Sequence, residues 1–325
     1  MQREPSSVTA RVADLVARYY LKKPDQAELL RIKFQDGSSL GWGALNEAAY
    51  RTRSPRSARL TTLNIEVTNR CNLRCVYCPV NRSLVRKKTD LPFELFAELL
   101  DRTPSIRTLL PFQWGEPLLH PRIFEMLRLA SGRGIRTYLT TNGTRLGRSE
   151  RAALLDSGLT RLTISVDGDD ELHLRTRGVE LGPIRERVLA LKRERDLSRS
   201  ELRIDVSMVV DETTAASIDR FQEAWTKVAD RVQLIPRLVR GERTRPCREP
   251  WRGLLVVLAD GRVTACCGDP EGELDLGNIQ DSDPAAIFNG PKLRELRRRH
   301  AALQFPPVCR GCSEYSHERV SPRFG

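Results

Sequence analysis

The chain has 325 residues, 40% of them hydrophobic, and a formal net charge of +12 carried mainly by Arg. That length predicts about two domains around a substantial core, and no apolar run is long enough to cross a bilayer. The first residues, Met1 to Ser7, lack the apolar segment of a secretory signal. The eight cysteines are therefore read in a reducing cytoplasm, where they argue for metal rather than disulfides.

A basic surface can draw nucleic acid or other anionic partners. Here Arg and Glu alternate in Arg185-Glu186-Arg187 and Arg193-Glu194-Arg195, the pattern of solvated helix faces. No aromatic residues interleave with a basic stripe to stack on bases, so nucleic acid is disfavoured as a partner.

Residues 1–58 read as an N-terminal extension. Val8 to Tyr20 places Val12, Leu15, Val16 and Tyr19 at helical spacing. Leu30 to Phe34 and Leu40 to Trp42, around Asp36-Gly37, read as a hairpin. Arg51 to Ser57 is a polar linker.

Over 59–240 the pattern is regular. Strands are predicted at 61–67, 107–113, 135–141, 161–166, 202–210 and 231–238, and helices at 92–102, 120–132, 148–157, 182–196 and 214–229. Alternation of this kind implies parallel βαβ units. Six units predict an α/β fold, a partial (β/α)6 barrel of the TIM type rather than a closed eightfold one; periodicity alone does not exclude an open doubly wound sheet.

After the first strand, Cys71, Cys75 and Cys78 place three thiols within eight residues. Thiolates are soft ligands for iron–sulfur clusters, zinc or copper(I). Three of them leave a coordination position open, as catalytic metal sites do. A zinc loop borrowing a distant His, or three unrelated core thiols, are the plain alternatives. Gln113-Trp114-Gly115-Glu116-Pro117, Thr141-Asn142-Gly143, Ser165-Val166-Asp167-Gly168 and Met208 to Asp211 then follow or end strands two to five. Each is an ordinary turn by itself, but together they converge on the rim where barrels carry their sites.

The run Cys71-x3-Cys75-Val76-Tyr77-Cys78 resembles the signature of radical S-adenosylmethionine (SAM) enzymes. The resemblance implies a [4Fe–4S] cluster on Cys71, Cys75 and Cys78, whose open iron chelates the amine and carboxylate of SAM. Reductive cleavage would then give a 5′-deoxyadenosyl radical, the electron coming from a reductant such as flavodoxin or ferredoxin. It implies further that Tyr77 packs near the adenine and that Gly115, Glu116 and Pro117 meet the methionine amine through backbone carbonyls. Asn142, Ser165 and Asp167 would lie near the ribose and methionine carboxylate, with Arg175 or Arg177 pairing with that carboxylate. One departure is Trp114, where the family often has Gly. His120 reads as a helix-start residue before Pro121, and His173 as a surface contact in the loop after strand four.

Over 241–325 the alternation stops and five cysteines appear. Leu254 to Leu258 and Arg262 to Ala265 read as a hairpin turning at Asp260-Gly261, which brings the flanking cysteines together. A closed set of four thiols reads as zinc or [4Fe–4S]. The block is similar to the SPASM or shorter twitch domains of radical SAM enzymes, matching their Cys-x13-Gly-x4-Cys opening at Cys247, Gly261 and Cys266. The full SPASM pattern adds three cysteines after the Cys309-x2-Cys312 pair, and this chain has none there. The resemblance therefore implies one auxiliary [4Fe–4S] cluster on Cys247, Cys266, Cys309 and Cys312. Cys267 reads as a small buried neighbour, as the ligand in place of Cys266, or as a catalytic thiol giving hydrogen to a substrate radical.

In these relatives the substrates are sugars, aminocyclitols or peptides. A fully thiolate-held cluster has no open iron and suits electron transfer, so the resemblance favours net oxidation of a small polar substrate. The head is short for a peptide-binding module. The competing readings are a peptide maturase or an epimerase using Cys267, an RNA-modifying relative, and a zinc-binding protein without catalysis.

Overall fold

The computed structural model describes residues 37–237 and 243–312. Six strands follow in chain order: β1 (Thr62–Ile65), β2 (Thr108–Leu110), β3 (Arg136–Thr141), β4 (Arg161–Ser165), β5 (Arg203–Val210) and β6 (Arg231–Pro236). All neighbours among them pair in parallel. Among the crossover helices are α2 (Phe93–Asp101), α3 (Ile123–Gly132), α4 (Arg148–Asp156), α5 (Asp170–Arg177), α6 (Gly182–Ser198) and α7 (Ile218–Thr226). The predicted partial barrel is therefore the observed one. Its core is built from strand residues and helix stripes, with Leu63, Ile65, Leu109, Ile164, Val206 and Phe221 fully buried.

The C-terminal unit is built onto that sheet. Strand β7 (Leu254–Val257) pairs in parallel with β1, then turns into β8 (Arg262–Thr264) and β9 (Asp275–Asn278), both antiparallel. The nine strands run β6-β5-β4-β3-β2-β1-β7-β8-β9 in one sheet. The hairpin at Asp260-Gly261 forms as predicted, with Gly261 N–H on Leu258 O at 2.9 Å. Its parallel seam with β1 was not foreseeable, because it joins segments nearly the whole barrel apart. Helices α8 (Pro284–Phe288), α9 (Pro291–Ala301) and α10 (Pro307–Arg310) close the unit.

Two predicted elements of the head, Val8 to Tyr20 and Leu30 to Phe34, lie outside the described residues, as does the 240/241 boundary. The strand predicted at Leu40 to Trp42 is corrected: these residues belong to helix α1 (Gly37–Arg51). The strong helix formers Ala44, Leu45, Glu47, Ala48 and Ala49 extend the helical state back through them. Helix α1 clamps onto the C-terminal unit. Tyr50 meets Trp251 edge-on at 5.6 Å, and the buried Asn46 accepts from Ser57 Oγ at 2.7 Å while donating to Arg59 O at 2.9 Å.

A buried ion pair ties the cysteine loop to both units. Arg86 grips Glu66, just past β1, with two bonds of 2.9 and 2.7 Å, and its Nε donates to Pro270 O at 2.6 Å. Glu66 also accepts from Ala259 N–H at 2.9 Å, and burial pushes its carboxyl up despite the pull of Arg86. Removing one member of such a pair strands the other charge. Arg86→Ala should therefore cost about 3–5 kcal/mol in urea unfolding, with part regained in Arg86→Ala/Glu66→Gln. An Arg86→Ala chain as stable as the parent would show that the pair does not hold the units together.

Candidate functional site

The loop between β1 and α2 carries Cys71, Cys75 and Cys78, all half-buried, across the C-terminal ends of the barrel strands. It is docked by its backbone: Val76 N–H donates to Thr176 O on α5 at 2.9 Å, and Asn81 Nδ2 holds Cys71 O and Leu73 O at 2.9 and 2.7 Å. Burial pushes all three thiols up. The charge of Cys75 further raises Cys71, that of Cys78 raises Cys75, and that of Cys71 raises Cys78, so the three sulfurs feel one another. Positive charge works the other way: Arg177 favours the thiolate of Cys75, and Arg177 and Lys88 favour that of Cys78. Three soft donors in mutual electrostatic contact beside fixed cations fit a metal cluster that needs them deprotonated.

The residues expected around this loop are brought to it. Gly115 lies so close to the loop that a Cβ there would stand 2.2 Å from Thr68 O, and Glu116 N–H donates to Arg70 O at 2.8 Å. Only glycine permits that approach. The Glu116 side chain is buried and committed: it accepts from Leu118 N–H at 3.1 Å, Thr141 Oγ1 at 2.7 Å and Asn142 N–H at 2.7 Å. It thus locks the end of β3 to the turn after β2, with Pro117 opening a single 3-10 turn behind it. Asn142 Nδ2 reaches Asn72 Oδ1 at 3.0 Å and Cys71 Sγ at 4.0 Å. Ser165 ends β4 with its Oγ 3.4 Å from Ser207 Oγ on β5. The indole Nε1 of Trp114 is buried without a hydrogen-bond partner among the described residues.

Asp167 is the most heavily engaged group. It accepts from Tyr77 Oη at 2.5 Å, Thr176 Oγ1 at 3.0 Å and Val209 N–H at 3.2 Å. Arg177 adds Nε and Nη2 at 2.8 and 3.1 Å. Burial would push this carboxyl up, but the charge and hydrogen bonds of Arg177, with Tyr77 and Val209, hold it below the usual carboxylate range. The Tyr77 ring lies 5.8 Å from the Arg177 guanidinium carbon and 6.0 Å from that of Arg237, which follows β6.

Three expectations change here. Arg177, read as a partner for a ligand carboxylate, is buried and already paired with Asp167; Arg175, one turn-face away, is exposed. His173, read as a surface residue of a loop, is buried on helix α5, with Nδ1 accepting from Asp167 N–H at 3.1 Å. Burial lowers its pKa to about 4, so it is neutral. The helix was signalled: Asp169 caps it through Leu172 N–H at 3.1 Å, and Gly178 ends it at φ 77°. Its weakly apolar sequence hid it from a periodicity search. His120, read as a helix-start residue, instead ends the 3-10 turn Pro117–Leu119, with the helix starting at Ile123; it is buried with Nε2 on Leu91 O at 3.0 Å.

In the C-terminal unit Cys247, Cys266, Cys309 and Cys312 line one cavity, with Arg243, Glu249, Asp269 and His300 among their neighbours. Burial pushes the Cys247 thiol up to about 12 and the Cys309 thiol up to about 11. The Cys266 thiol is raised first by its hydrogen bond with Cys267 and then by burial. Among the described residues, no group of three His, Cys, Asp or Glu side chains is placed to hold a metal ion, at this cavity or at the cysteine loop. An all-thiol donor set spaced around a void fits a multinuclear cluster. Cys267 is exposed, does not line the cavity, and has its carbonyl held by Gln113 Nε2 at 2.5 Å, beside the barrel rim. The place of Arg243 in this cavity was invisible in sequence, where it stands in an Arg-rich run.

Residues 65–223 match the radical SAM superfamily, and residues 247–313 match the SPASM iron–sulfur cluster-binding domain. An AdoMet-dependent heme synthase of Oleidesulfovibrio alaskensis is 31% identical over 139 residues, 42% of this chain and 35% of the relative. A PqqA peptide cyclase of Rhodopseudomonas palustris is 34% identical over 107 residues, 33% of this chain and 28% of the relative. The matched stretch thus spans about a third of these curated relatives. Among solved structures, BtrN in complex with AdoMet and 2-DOIA superposes with TM-score 0.57 at 16% identity, over 79% of this chain and 94% of that one. The enzyme anSMEcpe with bound AdoMet and a Cp18Cys peptide gives 0.58 at 20% identity, over 79% and 87%. At these identities the likeness establishes the fold.

Proposed function

We propose that this chain, a member of the radical SAM superfamily with a SPASM-type iron–sulfur domain, is an oxidoreductase. Its substrate would be small and polar, of carbohydrate or aminocyclitol type. Cys71, Cys75 and Cys78 would hold the SAM-binding [4Fe–4S] cluster, and Cys247, Cys266, Cys309 and Cys312 one auxiliary [4Fe–4S] cluster. When bound, these groups and SAM supply a hydrogen-abstracting radical and a sink for one further electron. The observation that carries the reading is the set of four thiols around one cavity. Four protein ligands leave the auxiliary iron no open position for substrate.

The barrel's own residues then do the positioning. Gly115 lets the turn after β2 close on the cysteine loop, and Glu116 fixes the end of β3 beneath it. Asn142 stands by Cys71, and Ser165 lies on the same rim. Tyr77 is held by Asp167, and Asp167 by Arg177, so these three shape the floor for SAM rather than bind its carboxylate. Arg175, exposed on the same helix, is the arginine left for a ligand carboxylate. The electron for SAM cleavage would come from flavodoxin or ferredoxin. A small polar substrate is supported by the likeness of fold to BtrN, 94% of which is covered and whose structure holds 2-DOIA.

The test is an anaerobic incubation with SAM, reductant and aminocyclitol or sugar candidates. The expected product is two hydrogens lighter, with about one SAM consumed and one 5′-deoxyadenosine formed per product: one hydrogen atom would end on the deoxyadenosyl group of SAM, one proton in solvent and one electron on the auxiliary cluster. A second reading rests on exposed Cys267 beside Gln113 at the barrel rim. Product of unchanged mass carrying one solvent deuterium, lost in Cys267→Ser, would make the chain an epimerase and overturn the oxidation.

A further inference from the structure

Arg243 sits where a surface arginine would not. It is 5% exposed, and it lines the cavity shared by Cys247, Cys266, Cys309 and Cys312. Its position is fixed from several sides: its N–H donates to Arg310 O at 3.0 Å, and its Nε donates to Cys309 O at 3.2 Å. Its guanidinium lies over the Phe305 ring at 6.0 Å, and its side chain hydrogen-bonds Cys312. A guanidinium stays protonated in a protein, so this buried side chain carries its charge beside Cys312.

The acids of the same cavity have hydrogen-bond and ion-pair partners of their own, while the charge of Glu249 bears on Cys247 and Cys266 and that of Asp269 on Cys309. Glu249 pairs with Arg252 at 2.6 Å. Asp269 accepts from Thr264 Oγ1 at 2.5 Å and from the N–H groups of Leu274 and Glu273 at 2.9 and 3.0 Å. His300 accepts Cys247 N–H at its Nδ1, at 3.2 Å. Arg243 is thus a buried positive charge aimed at three of the four thiols.

We propose that Arg243 raises the reduction potential of the auxiliary cluster and so makes this cavity an electron acceptor. The inference rests on reading the four thiols as cluster ligands. Reduction adds one negative charge to the sulfur cage. A fixed cation in a low-dielectric wall favours the more negative state. A charge-assisted hydrogen bond to a ligand sulfur draws electron density the same way. Arg243 is here a positioning and tuning residue and needs no contact with substrate.

The test uses the full chain carrying Cys71, Cys75 and Cys78 all replaced by Ala, so that only the C-terminal cluster titrates. The midpoint is read by EPR-monitored redox titration. Arg243→Met should lower the electron affinity at least tenfold, which is about 59 mV for a one-electron couple. Arg243→Lys, which keeps charge but loses the fork, should fall between it and the parent. Arg243→Gln, neutral but still able to donate to Cys309 O, should match Arg243→Met and provides the same reading if the methionine variant does not load iron. A midpoint unchanged in the neutral variants would overturn the proposal. So would loading of iron by the lysine variant with neither neutral variant binding any, which would make Arg243 a fold-holding residue. Zinc in the parent's C-terminal cavity, with no titrating signal, would instead overturn the cluster reading on which the proposal rests.

Discussion

Replacing Cys71, Cys75 and Cys78 together by Ala should abolish reductive SAM cleavage and halve the iron content of the anaerobically purified chain. Every other cysteine lies at or beyond residue 247, and four of those five line the separate C-terminal cavity. No thiol remains in the barrel to rebuild the first site. The loop itself should stay in place, because Val76 N–H on Thr176 O, the Asn81 bonds and the Arg86–Glu66 pair do not pass through sulfur. The variant should therefore fold and retain about four irons, one [4Fe–4S] unit on four thiolates. Iron analysis and chromatography of 5′-deoxyadenosine after dithionite reduction read both outcomes. Persistent 5′-deoxyadenosine would sink the assignment of these thiols, and about eight irons retained would sink the single auxiliary cluster.

What the sequence shows and what it hides follow from distance along the chain. The cysteine loop is legible because its ligands are packed into eight consecutive residues, and the strands are legible from runs such as Arg203 to Val210. The hairpin at Asp260-Gly261 is legible because turn and strands are contiguous. The partners of charged groups are not. Arg86 looks like one basic residue in Arg86-Lys87-Lys88, yet it is the one taken into the interior by Glu66, 20 residues earlier. Arg177 likewise has its partner ten residues back, across the strand-to-helix turn. Helix α5 has few apolar positions, so periodicity passed over it, although Asp169 and Gly178 mark its two ends. The parallel seam of β7 on β1 joins residues about 190 apart, and only the folded chain displays it.

Asp167→Asn should be among the most damaging single changes in the barrel. The side chain keeps its shape but loses the charge that balances Arg177, whose side chain is 6% exposed in the ion pair. Five donors converge on the two carboxylate oxygens, from Tyr77, Thr176, Val209 and twice from Arg177. An amide can accept on one side only, so its NH2 must face donors on the other. The result is a stranded buried cation and at least one unmade hydrogen bond. The expected cost is about 3–5 kcal/mol, read as a lowered urea midpoint in the cluster-loaded chain. Removing the cation as well should relieve most of it: Asp167→Asn/Arg177→Met ought to be more stable than Asp167→Asn alone, because the amide no longer confronts an unpaired guanidinium. SAM binding should not recover in that double variant, since Tyr77 still lacks its full acceptor and Cys75 has lost the neighbouring charge that favours its thiolate. Calorimetric SAM affinity therefore separates the two roles. Recovery of stability together with affinity would mean that the Asp167–Arg177 pair only supports the fold. Recovery of stability alone would place the pair in the floor of the SAM site, where it sets Tyr77 and the electrostatics of Cys75.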